Sequence, residues 1–340
     1  MPIFSADELR HVAQAILQGV GTPEENARLV SASLVESNLV GHDSHGVMRL
    51  MSYVEFARRG QVKPEARPFV AKRERATAQV DGAWGWGHIS ARLATTTVTE
   101  LAAEYGVAAT TIDHCNHVGR LGEYVEMMAH AGMIGIALCN VDPAVAPFGG
   151  VGRVMGTNPL AWAVPRAGEN APLFSDFATS GVAEGKLRVA RAKGERVEPG
   201  LIVDSQGRPS QEPADFYNGG ALLPFGGHKG YGLSVMVELL GGVLSGMAAS
   251  VQPEYKAANG TLFLALNIAA FMPVEQFTQQ VENFCARVKA TPPADGFSEV
   301  LLPGDPERRT RAQRLVEGIS LPEQTWREIQ ALARELNVPT

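Results

Sequence analysis

The run Gly226-Gly227-His228-Lys229-Gly230-Tyr231-Gly232 decides the fold, because a dinucleotide-binding loop would be sought there and is missing. Its Gly230/Gly232 pair meets Val235 where a Rossmann loop needs a third glycine for close helix–strand packing. The pairs Gly19/Gly21, Gly85/Gly87 and Gly150/Gly152 fail in the same way, so the chain holds no G-x-G-x-x-G. Beyond the turn, Gly232 to Ala249 is apolar but interrupted by Glu238, Gly241, Gly242 and Gly246. That reads as a helix buried all round in a core, not as a membrane span.

On either side of this helix the texture is mixed. Residues 143–224 are short apolar pieces such as Leu160–Val164 and Leu173–Phe177, broken by Gly, Pro and Asn and by the turn Asp204-Ser205-Gln206-Gly207. Such a pattern predicts a mixed or antiparallel sheet with long loops. Upstream, a helix over 91–105 closed by Gly106, a strand over 107–112, a helix over 123–130 and a strand over 134–138 alternate as in α/β proteins. Downstream come a strand at 262–268, a helix at 274–288, a boundary at Thr291-Pro292-Pro293 and a basic helical tail after Arg308. Both ends are amphipathic helices. Ser5-Ala6-Asp7-Glu8 reads as a capping box, and Thr22-Pro23-Glu24-Glu25 and Ser320-Leu321-Pro322-Glu323 read as the same device with Pro at the first helical position.

Composition narrows the class. The chain has 340 residues, 45% hydrophobic and 19% charged, with a formal net charge of −6. That supports a folded protein of one or two domains and argues against a phosphate-backbone or membrane-surface binder. Cys115, Cys139 and Cys285 form neither a zinc knuckle nor a disulfide framework, and the start resembles no signal peptide, so a reduced, cytoplasmic protein is expected. No G-x-x-x-x-G-K-[ST], H-E-x-x-H or G-x-S-x-G occurs, which disfavours phosphate-loop ATPases, zincins and elbow hydrolases.

Five polar clusters remain. In Gly41-His42-Asp43-Ser44-His45-Gly46-Val47-Met48-Arg49, Ser44 is placed to cap a following helix, and His45 and Arg49 stand four apart, as on one helical face. A guanidinium that grips a carboxylate beside an imidazole that moves a proton would suit a 2-oxo acid. A solvated helix cap, or less readily a metal site from His42, Asp43 and His45, would also explain it. Asp113 to Arg120 follows a strand and opens a helix, where anion sites occur and plain polar loops do too. The Gly226–Gly232 turn offers a cation and flexible backbone to a phosphate. Gly156-Thr157-Asn158-Pro159 and Asp176-Phe177-Ala178-Thr179-Ser180 are equally compatible with a ribose contact or with turns.

Taken in order, these clusters resemble the malate/L-lactate dehydrogenase family of oxidoreductases that lack a Rossmann domain, a family that includes ureidoglycolate and sulfolactate dehydrogenases, 2,3-diketo-gulonate reductase and piperideine-2-carboxylate reductase. The likeness runs through Asp43-Ser44-His45-Gly46, Asn116-His117-Val118-Gly119-Arg120, Pro147-Phe148-Gly149-Gly150, Gly185-Lys186 and Pro303-Gly304-Asp305-Pro306-Glu307 as well. It implies a homodimeric enzyme using NAD or NADP on a small 2-hydroxy or 2-oxo acid, with no metal. It also implies a mixed α+β fold: a non-Rossmann cofactor domain over 121–295 with a largely antiparallel sheet, and a substrate and dimerisation domain from 1–120 with 296–340. His45 would then be the acid–base residue with Ser44 in relay, although His117 holds that role in some relatives, and Arg49 would bind the substrate carboxylate. Val118, Gly119, Arg120, Leu121, Thr157, Asp176, Phe177, Ala178, Lys186, His228, Lys229, Gly304, Asp305, Pro306 and Glu307 would line the cofactor with His117. Phe177 stands where the family usually has Met. Lys186 stands where cyclic-imine reductases carry an acidic relay residue, which favours an oxo acid over the alternative imine substrate. A binder without catalysis is the more distant alternative.

Overall fold

The computed structural model describes residues 1–339. Its helices are α1 (Ala6–Gly19), α2 (Glu24–Leu39), α3 (Leu50–Arg58), α4 (Gly87–Tyr105), α5 (Leu121–His130), α6 (Glu184–Lys193), α7 (Pro213–Tyr217), α8 (His228–Val237), α9 (Val274–Lys289), α10 (Asp305–Glu317) and α11 (Glu323–Glu335). The strands are β1 (Ile3–Phe4), β2 (Phe69–Glu74), β3 (Thr77–Asp81), β4 (Val107–Asp113), β5 (Met133–Cys139), β6 (Leu160–Val164), β7 (Leu173–Phe177), β8 (Ile202–Val203), β9 (Pro209–Ser210), β10 (Ala221–Leu222), β11 (Thr261–Asn267) and β12 (Ile319–Ser320).

Seven strands form one sheet in the order β2-β3-β4-β11-β5-β6-β7. Only β3 and β4 pair in parallel; the other neighbours are antiparallel. The mixed, largely antiparallel sheet read from the broken texture is therefore present. It joins strands from before and after residue 120, because β4 pairs with β11 from Thr261↔Ile112 to Leu266↔Val107.

Strand alternation assigns the two faces. Ala137 and Phe263 point to the face covered by α4 and α5, beside Val98, Leu101, Val125 and Met128. Leu138 and Leu262 point to the face under α8, beside Val237. The two ends of the chain share a second core, in which Leu9, Ile16, Leu34, Leu50, Val54 and Ile329 from α1, α2, α3 and α11 meet. β1 and β12 pair antiparallel beside it.

Two expectations are corrected here. Ser5 does form a capping box with Glu8, but Pro23 and Pro322 themselves occupy the N-cap positions and no side chain caps either helix. Thr22 instead accepts a hydrogen bond from Trp86 Nε1 at 3.0 Å. The apolar helix is also not buried all round. It starts at His228, passes into a π-helical segment Glu238–Val243, and exposes Leu239, Val243 and Leu244. Its inward stripe is small and polar: Gly230, Ser234, Val237, Glu238, Gly241 and Gly242. A side chain at Gly241 would meet the Gly260 carbonyl at 2.9 Å, so glycine lets this face seat closely and turns the leucines outward.

Candidate active site

The segment 41–49 is not the start of a helix. Two single 3₁₀ turns, Asp43–His45 and Val47–Arg49, precede α3, and Ser44 caps nothing. His45 and Arg49 thus close separate turns and do not share an α-helical face. They nonetheless converge. Arg49 Nε donates to the Ser44 carbonyl at 2.7 Å, Ser44 Oγ lies 3.0 Å from His45 Nδ1, and the Arg49 charge acts on both His45 and His117. Turns this short make few bonds of their own and take their shape from what surrounds them.

His117 arrives from the connection between β4 and α5. Its ring stacks on His45 with centroids 5.5 Å apart and planes at 21°. The Tyr53 hydroxyl, one helical turn beyond Arg49, hydrogen-bonds His117 Nδ1 at 2.7 Å, with His88 Nε2 3.5 Å away on the other side. Burial lowers the pKa of His45 and of His88 to about 3, with Arg49 adding to the shift at His45 and Arg92 at His88. Burial and then Arg49 hold His117 well below the usual imidazole value. Burial also raises Tyr53 far above the ordinary phenol value. At neutral pH all four groups are uncharged beside a guanidinium, so each imidazole keeps one ring nitrogen without a proton, while burial makes a charged ring costly.

A second polar group adjoins the first. Arg120 is buried, its Nη atoms 3.3 Å from Glu126 Oε2, and its guanidinium lies 5.7 Å from the Phe174 ring centroid. Asp176 Oδ2 accepts the Gly122 amide at 2.7 Å. Burial raises the Asp176 carboxyl above its ordinary pKa, while that amide, Arg120 and His42 oppose the rise. Glu307, at the start of α10, lies 3.5 Å from His42 Nε2 and is held below its ordinary pKa chiefly by that contact. The sequence clusters around 42–49, 117–122 and 176 therefore meet Glu307 at one place.

This whole arrangement matches known proteins along its length. The sequence profile of malate/L-lactate dehydrogenases matches residues 4–330. The chain belongs to the malate/L-lactate dehydrogenase family. A malate dehydrogenase of Pyrococcus abyssi is 36% identical over 98% of this chain and 94% of its own length. Hydroxycarboxylate dehydrogenase B of Escherichia coli is 36% identical over 99% and 95%. Among solved structures, the sulfolactate dehydrogenase of Methanocaldococcus jannaschii superposes with a TM-score of 0.90 at 32% identity, covering 99% of this chain and 98% of that one. Δ1-Piperideine-2-carboxylate reductase of Pseudomonas syringae gives 0.86 at 30%, covering 98% and 100%. As a member of this dehydrogenase family the chain is an oxidoreductase, and the chemistry of the family implies a nicotinamide cofactor.

The residues present fit such a dinucleotide in part. Asp176 Oδ1 has no hydrogen-bond partner among the described residues, which leaves a carboxylate oxygen for a ribose hydroxyl. Thr157 is half-buried, and its carbonyl is held by the Thr179 amide at 2.8 Å. Phe177 packs edge-on against Phe225 with centroids 6.0 Å apart. Other expected contacts lie elsewhere. Asp305 is taken up by the Leu302 amide, Lys289 and Arg308, which hold its carboxyl far below the ordinary value. Asn158 is buried and bonded to Ser234 and Glu238, a structural role. His228 and Lys229 are exposed, with His228 edge-on to Phe148. They border a cleft of about 430 Å³ lined by Phe148, Leu201, Phe225, Gly226 and Gly227, which does not include the imidazoles. Lys186 is exposed on α6, and its neighbour Gly185 lies so close to Ser44 that a Cβ there would sit 3.3 Å from Ser44 Cβ.

Sequence reasoning missed Tyr53 and His88. Tyr53 stands four after Arg49, the spacing that would have found it. His88 carried no such signal, because its place beside His117 depends on the close approach of Gly119, where a Cβ would be 2.7 Å from His88 Nε2.

Proposed function

We propose that this enzyme interconverts a small 2-hydroxy acid and the corresponding 2-oxo acid, with His45 as the proton acceptor or donor and Arg49 as the carboxylate clamp. The observation that carries the reading is the neutral His45 ring stacked on His117 within the field of Arg49. The names of the relatives, malate, sulfolactate and hydroxycarboxylate dehydrogenases, support the substrate class.

The nicotinamide, when bound, accepts or supplies the hydride. In the oxidative direction a neutral imidazole takes the hydroxyl proton, provided its free nitrogen faces the substrate. Donation of Nδ1–H to Ser44 Oγ leaves His45 Nε2 unprotonated for that purpose. The Arg49 fork holds the carboxylate in a fixed plane, a geometry that lysine cannot reproduce. Tyr53, by donating to His117 Nδ1, keeps the His117 proton on Nε2, where it can support the developing carbonyl oxygen. Residues 121–295 would carry the dinucleotide, and 1–120 with 296–340 the substrate and a partner subunit. The exposed Leu239, Val243 and Leu244 supply an apolar face suited to a homodimer. The compartment proposed is the cytoplasm.

The test is a panel of 2-hydroxy acids, 2-oxo acids and cyclic imine carboxylates, assayed with both NAD(H) and NADP(H) by nicotinamide absorbance. His45→Ala should lower kcat by roughly 10²–10⁴-fold while dinucleotide affinity, read by fluorescence titration, stays within about twofold. Unchanged kcat removes His45 from the chemistry. Arg49→Lys should mainly raise KM, and an unaltered KM removes the clamp. Turnover of the imines alone would replace the oxo-acid reading.

A further inference from the structure

The two 3₁₀ turns that present Ser44, His45 and Arg49 are held from outside the site. Each is closed by only two backbone bonds: His45 N to the His42 carbonyl and Gly46 N to the Asp43 carbonyl in the first, Arg49 N to the Gly46 carbonyl and Leu50 N to the Val47 carbonyl in the second. Their shape comes from three polar side chains on three elements. Asp43 Oδ1 accepts from Asn38 Nδ2 at 2.6 Å and from Arg314 Nη1 at 2.7 Å, and Asp43 Oδ2 accepts from Arg314 Nη2 at 3.0 Å. Asn38 Oδ1 in turn accepts the Val47 amide at 2.9 Å, so one amide side chain ties the first turn to the second. Arg314 also donates to the Asn38 carbonyl. Asn38 fills the space a side chain at Gly46 would need.

Arg314 sits on α10, seven residues beyond Glu307, which contacts His42. Thr310, between them, has its methyl 3.1 Å from a Cβ built on Gly41. One face of α10 thus grips residues 41, 42 and 43 in succession, immediately before the catalytic pair. We propose that Arg314 and Asp43 are a positioning pair: their bidentate contact sets the turn that aims His45 and, through the Ser44 carbonyl, Arg49. Neither residue is assigned to contact substrate or cofactor. The inference rests on the proposed roles of His45 and Arg49.

A fork-to-carboxylate contact of this kind, with the Asp43 side chain 47% and the Arg314 side chain 23% exposed, contributes little to overall stability. Displacement of a reacting group by about 1 Å, by contrast, costs up to about 100-fold in rate. The two consequences separate. Arg314→Ala, Arg314→Lys, Asp43→Asn and the double variant Arg314→Ala/Asp43→Asn are compared in the full-length enzyme for kcat, KM, thermal midpoint and dinucleotide affinity. We expect about 10- to 100-fold lower kcat for each single change, a double variant no worse than the worse single, and dinucleotide affinity within about twofold. Guanidinium ion added to Arg314→Ala should restore part of kcat, a response that a merely structural loss would not show. Folded Arg314→Ala or Arg314→Lys with kcat within about twofold of wild type overturns the proposal, as does multiplication of the two single losses in the double variant. If Arg314→Ala does not fold, Arg314→Lys carries the same decision, because it keeps the charge and loses the fork. Failure of the underlying reading is distinguished by His45→Ala: if that variant retains kcat, His45 is not the acid–base group whatever the pair does.

Discussion

The neutral state of His88 gives a thermodynamic measure of how dry the floor of the site is. His88 is 1% exposed, its Nδ1 has no partner among the described residues, and Arg92 adds a like charge to the penalty for protonation. Its pKa therefore falls from about 6.5 in the unfolded chain to about 3 in the fold. Below pH 6.5 the unfolded state binds a proton that the native state refuses, so stability is lost as pH falls from 6.5 toward 3. At about 1.36 kcal/mol per pH unit, the loss from His88 alone is about 1.4 kcal/mol at pH 5.5 and about 2.7 kcal/mol at pH 4.5. The perturbation is His88→Gln, which cannot titrate and reaches about as far toward Tyr53. Urea midpoints of both proteins at pH 7.5, 5.5 and 4.5 give the comparison. The variant starts less stable, through lost packing, and the gap narrows by the amounts above as pH falls. Parallel stability curves would refute the reasoning, because they would mean that His88 is charged or solvated in the native state.

Three further outcomes follow from neighbouring contacts. Glu238 is buried and receives only donors, from Gly156, Asn158 and Ser250 on Oε1 and from Asn140 and Ser250 on Oε2. Glu238→Gln sets an amide donor against donors and should cost about 3 kcal/mol in urea unfolding; a loss under about 1 kcal/mol would show that the surrounding donors do not depend on a second acceptor oxygen there. Tyr53→Phe leaves His117 Nδ1 without its 2.7 Å partner and should lower kcat about tenfold with KM for the acid little changed, and equal kcat would free His117 from dependence on Tyr53. Since Arg49 lowers the pKa of His45 and His117, pairing Arg49 with a substrate carboxylate should move the acid limb of kcat to higher pH than that of kcat/KM. Coincident limbs would place the carboxylate away from Arg49.

How much of this was legible depended on whether the signal was local. The strands at 134–138 and 262–268 read directly, because each is a short, almost wholly apolar run, as a strand covered on both faces requires. The missing third glycine after Gly232 ruled out one cofactor scaffold at a single position. Strand β2 gives no sequence signal, because its residues are exposed throughout and offer no alternation, and β3 alternates over only five residues. The inward face of α8 was misjudged because its buried stripe is glycine, serine and glutamate while leucine faces out, an inversion set by the close approach of Gly260. The histidines at 45 and 117 stood in readable motifs, but their stacking needed 71 residues of intervening chain to fold back, which spacing cannot show.

The same packing explains why the proposed catalytic pair is carried on turns and not on a helix. An α-helical register would fix His45 and Arg49 relative to each other through its own backbone, leaving no freedom to fit both to a substrate and to His117. Two 3₁₀ turns separated by Gly46 remove that constraint, and the Arg49 Nε bond to the Ser44 carbonyl restores it by a side chain instead. Aim is then set by groups that can be chosen independently of the backbone repeat: Tyr53 for His117, Ser44 for His45, and Asn38, Asp43 and Arg314 for the turn as a whole. Burial of the imidazoles, which keeps them neutral, requires this external support, because an unpaired ring nitrogen in a dry site cannot recover a lost partner from water.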